Sequence, residues 1–140
     1  MRGKYFLDTN VLIYSFDSNS AAKQQKANQL IKTALLENKG CISYQVIQEF
    51  INVAAKKFAT PLSILDCHRY LDSVLHPLCQ IYASVELCHQ ALDLMQRWQY
   101  TFYDSLILAA ALQADCTFLY SEDLAHNQSI KSLTILNPFL

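Results

Sequence analysis

The sequence predicts an α/β fold with a mostly parallel sheet covered by helices on both faces. Short apolar runs rich in β-branched and aromatic residues alternate along the chain with longer segments of helical period. No repeat, low-complexity tract or Pro/Ser linker interrupts that alternation, so the 140 residues are expected to form a single domain spanning 1–140. A hydrophobic content of 52% against 16% charged residues suits a compact protein with a generous core.

Tyr5, Phe6 and Leu7 read as a short buried strand, followed by a helix through about Ser15. Residues 20–38 keep helical period, with Ala27, Leu30, Ile31, Ala34 and Leu35 on one face and Gly40 as the C-terminal stop. Residues 41–44 supply a second strand. In the helix expected over 45–58, Val46, Ile47, Phe50, Ile51 and Ala54 form the apolar stripe. Gln45, Gln48, Glu49 and Asn52 form the polar one. Thr60-Pro61 reads as an N-cap with proline at the first helical position, opening a helix to about Leu75. Residues 79–82 make a third strand, Ser84 caps a helix running to Gln99, and 104–114 form the next helix. Strands over 117–120 and 133–136 complete the sheet, and Asn137-Pro138 ends the fold.

Composition excludes several chemistries. Gly3 and Gly40 are the only glycines, so no P-loop, G-x-G-x-x-G fingerprint or G-x-S-x-G elbow can be written. Any phosphate handled here must be met by a metal or by basic side chains. The five cysteines are odd in number and lack C-x-x-C spacing, which argues against a disulfide framework and a zinc knuckle. Cys67-His68 and Cys88-His89 are adjacent pairs, and helical neighbours point about 100° apart. Buried reduced thiols are the expected reading. The longest apolar run, residues 106–112, is far short of the roughly 20 needed to span a bilayer. Asp8 follows only three apolar residues, so no signal peptide is expected and a cytoplasmic location follows.

Four acids stand at the punctuation points of this apolar chain: Asp8, Glu49, Asp104 and Asp123. Asp8 ends the first strand, Glu49 lies in a helix, Asp104 opens a helix and Asp123 follows a strand. Taken singly, each has a structural reading as a cap, a helix-start charge, a turn residue or a solvated face. Ligands of α/β sheets gather at the carboxyl ends of strands, where acids from distant parts of the chain can meet. Carboxylates about 4 Å apart repel by roughly 4 kcal/mol per pair at an effective dielectric near 20. A cluster of them suits a hard cation, Mg²⁺ or Mn²⁺. Asp104 is the lone charge between Arg97 and Asp115, before an almost wholly apolar helix, so it stands at the rim of the core and needs a cation or hydrogen-bond partners. The formal net charge is −1, and leaving these four acids out makes it +3, a balance that permits a modest phosphate contact.

Phe6-Leu-Asp-Thr-Asn-Val-Leu, the helical Glu49, Tyr103-Asp-Ser-Leu-Ile-Leu-Ala-Ala-Ala and Tyr120-Ser-Glu-Asp-Leu resemble the four acidic motifs of PIN-domain nucleases in order and spacing. Asn137-Pro138-Phe139 resembles the end of some bacterial members. Within the family the chain is most similar to VapC-like toxins of bacterial toxin–antitoxin pairs. The resemblance implies a three-layer α/β/α sandwich carrying a Mg²⁺- or Mn²⁺-dependent endoribonuclease. Asp8, Glu49, Asp104 and Asp123 would be its catalytic, metal-holding carboxylates, with Thr9, Asn10 and Ser121 orienting acids or water beside them. Ser121 stands where many relatives carry Thr, and it keeps the hydroxyl. Glu122 puts a second acid into the last motif. Asp123 is taken as the ligand because family members usually place the acid two after the hydroxyl residue. The resemblance also implies an RNA substrate, a small antitoxin partner and a homodimer, with no membrane.

Lys56, Lys57 and Arg97 are candidate substrate contacts, and ordinary helix-end charge explains them equally well. Tyr14, Phe16, Tyr100 and Phe102 could stack unpaired bases or pack in the core. His68, His76, His89 and His126 are spread singly, and only His126 lies close to an acidic motif. An Asp8-nucleophile phosphotransferase would want a second acid at Asn10. A non-catalytic binding module and a housekeeping RNA-processing nuclease are the remaining alternatives.

Overall fold

Tyr5, Phe6 and Leu7 are apolar on both sides of the pleat, and only a strand covered on both faces can bury them all. The computed structural model describes residues 3–140 and places this strand, β1 (Tyr5–Leu7), inside a six-stranded sheet of order β3-β2-β1-β4-β6-β5. The others are β2 (Gly40–Ser43), β3 (Cys79–Ile81), β4 (Phe118–Tyr120), β5 (Ser129–Ile130) and β6 (Leu133–Leu136). Every pairing is parallel except that of β5 with β6.

The helices are α1 (Thr9–Tyr14), α2 (Ala21–Glu37), α3 (Tyr44–Lys56), α4 (Ile64–Tyr70), α5 (His76–Leu78), α6 (Val85–Trp98) and α7 (Phe102–Gln113). From β1 the chain steps to β2 and then β3, and returns across the sheet to β4. Right-handed crossovers then put α1 to α5 on one face and α6 with α7 on the other. The contacts agree: α1 packs on α2 and α3, whereas α6 packs on α7. The expected three-layer α/β/α sandwich is present. β1 and β4 lie side by side, with successive connections leaving in opposite directions, so the crevice outside their carboxyl ends is the topological switch point.

Several boundaries differ from the sequence reading. Gly40 does not end α2; Asn38 does, in the left-handed region at φ 54°, and Gly40 opens β2. The glycine is required by close approach, since a Cβ there would lie 2.5 Å from the Ala34 Cβ and 2.8 Å from the Tyr5 ring. Tyr44 belongs to α3 rather than to β2, and α3 ends at Lys56 rather than Phe58. Thr60-Pro61 starts no helix. Ser63 caps α4 instead, its hydroxyl accepting from the Asp66 amide at 3.0 Å. Beyond α4 the chain continues through a π-helical turn, Leu71–Leu75, into α5. This wider turn lies just before Pro77, which has no amide to donate and would crowd an ordinary i−4 carbonyl. Helix α7 starts at Phe102, two residues earlier than expected, because Thr101 caps it.

The short strand β5 had no sequence signal. Its tight connection to β6 puts a positive φ of 55° on Lys131, where glycine is the usual marker. Cys41 and Cys116 are free thiols 3.5 Å apart in the core. Among the described residues no helix is long and apolar enough to cross a membrane.

Replacing Gly40 by Ala forces the new methyl into Ala34 and Tyr5. It is expected to cost about 1–3 kcal/mol, as overpacking of a filled core does. Thermal unfolding should fall by several degrees, and an unchanged melting temperature would show that α2 yields freely to the extra carbon.

Candidate active site

Asp8 follows β1 directly and caps α1, its Oδ1 accepting from the Thr9 amide at 2.7 Å. The cap reading and the site reading of this acid therefore hold together. Its Oδ2 accepts from the Ser121 hydroxyl at 2.7 Å, across from the end of β4. The Asn10 amide nitrogen reaches Asp123 Oδ2 at 3.2 Å and lies 3.4 Å from both Asp8 Oδ2 and Ser121 Oγ. The Asn10 carbonyl oxygen in turn accepts from the Glu122 amide at 3.3 Å. Two strand ends are thus stitched together through small polar side chains.

The helices close this crevice from opposite faces. Glu49, on the polar stripe of α3, accepts from the Thr9 hydroxyl at 2.6 Å and from the Gln45 amide at 3.2 Å. Gln45 also donates to the Tyr103 carbonyl at 3.2 Å, tying α3 to the first turn of α7. Asp104 occupies that turn, its backbone amide donating to Thr101 Oγ1 at 3.2 Å. All four acids line one cavity of about 330 Å³, together with Thr9, Asn10, Gln45, Asn52 and apolar Ile13, Val53 and Ile107.

Electrostatics grade from the floor of the cavity to its mouth. Asp8 is buried and Asp123 exposed. Burial pushes the Asp8 carboxyl up to about 6; the Ser121 and Thr9 hydrogen bonds pull it down, and Glu49 and Asp123 push it up further. Burial also raises Asp104; its Thr101 contact opposes the rise, and Asp123 and Glu49 add to it. Among the described residues none of the four acids has an ion-pair partner. Nor are any three of them already drawn together into a ready-made ion cage. The donor set is all carboxylate oxygen, with neutral hydroxyl and amide groups behind it, which suits Mg²⁺ or Mn²⁺ rather than a soft metal.

Glu122 points elsewhere. Its carboxylate accepts from Tyr14 and from Lys23, each at 2.7 Å, and that pairing holds it below the ordinary carboxylate range. Lys23 also sits over the Tyr14 and Phe139 rings. Asp123, not Glu122, therefore lines the cavity. No sequence pattern links Lys23 to a residue 99 positions away. Gln45 and Asn52 were visible as part of the polar stripe but not as cavity residues; their spacing of four and three from Glu49 was the available signal.

The basic candidates divide. Lys57 lines a neighbouring cavity, Lys56 is exposed at the end of α3, and Arg97 stacks beside Trp98 at the end of α6, away from the acid cavity. His126 accepts from the Asn137 amide at 2.9 Å and does not line the acid cavity.

A mostly parallel sandwich whose central strands end in a carboxylate-lined cavity defines the class of this protein, an α/β fold with an acidic crevice at its topological switch point. The PIN domain family model matches residues 5–128, and the chain belongs to that family. No curated protein matches it. Among solved structures it is similar to a toxin–antitoxin complex from Klebsiella pneumoniae, at 20% identity and TM-score 0.66, covering 96% of this chain and 98% of that one. It is similar to VapC20 of Mycobacterium tuberculosis, a sarcin–ricin-loop-cleaving toxin, at 17% identity and TM-score 0.61, over 86% and 90% of the two chains. A third likeness is to VapBC2 from Rickettsia felis bound to promoter DNA, at 18% identity and TM-score 0.60, over 94% and 96%.

Because the folded Asp8 carboxyl lies above its ordinary value of 3.8, the native state takes up its proton before the unfolded chain does. The stability this group contributes is fully present below pH about 4 and is lost as pH rises through about 6. The loss is at most about 3 kcal/mol, at 1.36 kcal/mol per unit. Asp8→Asn, without metal, should be more stable than wild type at pH 7.5 and flatter in stability between pH 4 and 6. Urea unfolding across that range checks it, and parallel curves for the two proteins would refute it.

Proposed function

We propose that the whole chain, residues 1–140, works as one PIN-like domain: a Mg²⁺- or Mn²⁺-dependent endoribonuclease, the toxin of a toxin–antitoxin pair. The observation that carries this reading is the convergence of four carboxylates from the end of β1, α3, α7 and the end of β4 on one cavity, with no basic ion-pair partner among the described residues. Asp8, Glu49, Asp104 and Asp123 would hold the cation. Bound there, it would acidify a water and offset charge on the phosphate.

The chain's own residues set the rest. Ser121 and the Thr9 amide fix both oxygens of Asp8, so its orientation is settled before any ligand arrives. The Thr9 hydroxyl and Gln45 do the same for Glu49, and Asn10 holds Asp123 toward the cavity. Val53, Ile13 and Ile107 keep part of the wall dry, which strengthens every charge interaction inside. RNA as the substrate is favoured by the likeness to a sarcin–ricin-loop-cleaving toxin, and an antitoxin partner by the likeness to toxin–antitoxin assemblies. A partner Arg would satisfy the same carboxylates that attract a cation, which gives inhibition a physical basis. The protein would act in the cytoplasm, as a homodimer.

Mn²⁺ at 100 times its dissociation constant should stabilise the fold by about 2.7 kcal/mol. Asp104→Asn should abolish RNA cleavage without loss of fold. Melts with and without Mn²⁺, with cleavage assays on structured RNA, test both; identical melts and no calorimetric binding would remove the metal site.

Expressed alone in a bacterium, the wild-type chain should arrest growth and Asp8→Asn should not. Normal growth from a protein that still cleaves RNA when purified would favour a housekeeping nuclease. Purified protein that leaves every RNA intact with Mn²⁺ present would favour a binding module.

A further inference from the structure

A second cavity, about 320 Å³, adjoins the acid cavity and shares two of its wall residues, Ile13 and Val53. Its floor is aromatic. Phe16 is 38% exposed, yet its ring is braced by Phe58 at 5.5 Å, Tyr70 at 5.2 Å and Phe50 at 5.7 Å, so it offers a rigid face rather than a loose side chain. Phe58 lines the cavity beside it. The rim is polar and carries opposite charges. Lys57 has no ion-pair partner among the described residues. Asp17 accepts from the Asn19 backbone amide at 2.9 Å through Oδ1, and both residues line the cavity, Asn19 as an exposed one.

A flat braced aromatic face, a nearby cation and a carboxylate–amide edge match the three parts of a nucleotide: the base face, the phosphate and the hydrogen-bonding base edge. We propose that this cavity is the subsite for one unpaired nucleobase of single-stranded RNA, the base flanking the phosphodiester bond presented to the carboxylates. Phe16 and Phe58 stack the base, Asp17 and Asn19 read its edge, and Lys57 meets the adjoining phosphate. The shared Ile13–Val53 wall makes the two cavities neighbouring stations along one strand, so the identity of this base selects which bond reaches the acids. The inference rests on the reading of the acid cavity as an RNA-cleaving site.

The test keeps the two readings apart. Binding of a fluorescent single-stranded oligoribonucleotide is measured by anisotropy on the full chain carrying Asp104→Asn, without metal. Adding Lys57→Gln should weaken binding and reduce the slope of log affinity against log salt by about 0.7, the signature of one lost phosphate contact on a single strand. Adding Phe16→Leu should weaken binding about tenfold, within the range for one lost stack. With the acids intact and Mn²⁺ present, Asn19→Ala should change base preference at one position beside the cut in a randomised RNA pool. Lys57→Gln and Asn19→Ala alter exposed side chains and serve if Phe16→Leu fails to fold. Wild-type affinity, salt slope and base preference in all variants that fold would overturn the subsite. Loss of binding in these variants, with a wild type that cuts no RNA, would retain the base subsite and overturn the nuclease reading instead.

Discussion

The crevice is organised by one buried side chain held at the end of the central strand. Asp8 stops β1, starts α1 and accepts from Ser121 across the sheet, so a single side chain joins a strand end, a helix start and a second strand end. Burying a charge among apolar neighbours is costly unless every lone pair facing protein is occupied. Here the occupants are neutral donors, which orient the group without cancelling its charge. The charge that remains is shared only with the other acids lining the cavity.

The two helical layers extend that arrangement. Because the sheet order reverses between β1 and β4, α3 and α7 reach the same crevice from opposite faces and each delivers one acid. Gln45 spans the gap to the Tyr103 carbonyl and fixes the separation of the two walls. Lys23 removes Glu122 from competition, with Tyr14 and Phe139 packed about it. The site therefore has four acids where five are available in sequence.

Much of this was legible from residue types alone. Strands β1 and β4 were readable as apolar runs that demand burial on both sides, and β2, β3 and β6 as short apolar or β-branched segments set between helical stretches. Asp8, Asp104 and Asp123 stood out because each lies next to the end of an apolar element, and Glu49 by its place on the polar stripe of α3; all four line one cavity. What was not legible depended on contacts between distant residues. Gly40 looked like a helix stop, but its role comes from Tyr5 and Ala34 closing on it. Thr60-Pro61 had the residue types of a helix start, yet Ser63 supplies the cap that is used. Pro77 alone does not announce the π-helical turn before it, and the Lys131 turn into β6 carries no local marker. Lys23 has none either, since an ion pair across 99 positions is fixed only by the folded sheet.

The order in which the acids occur along the chain has a consequence for how the protein is made. The first is residue 8 and the last is residue 123, and the strand before the last, β4, is flanked by β1 and β6. A chain emerging from the ribosome reaches Asp8, Glu49 and Asp104 long before β6 arrives to pair with β4 and fix the loop that carries Ser121 and Asp123. Until then Asp8 lacks its Ser121 donor and the crevice lacks one wall. The carboxylate-lined cavity is thereby kept incomplete through most of the chain's own synthesis, by topology alone.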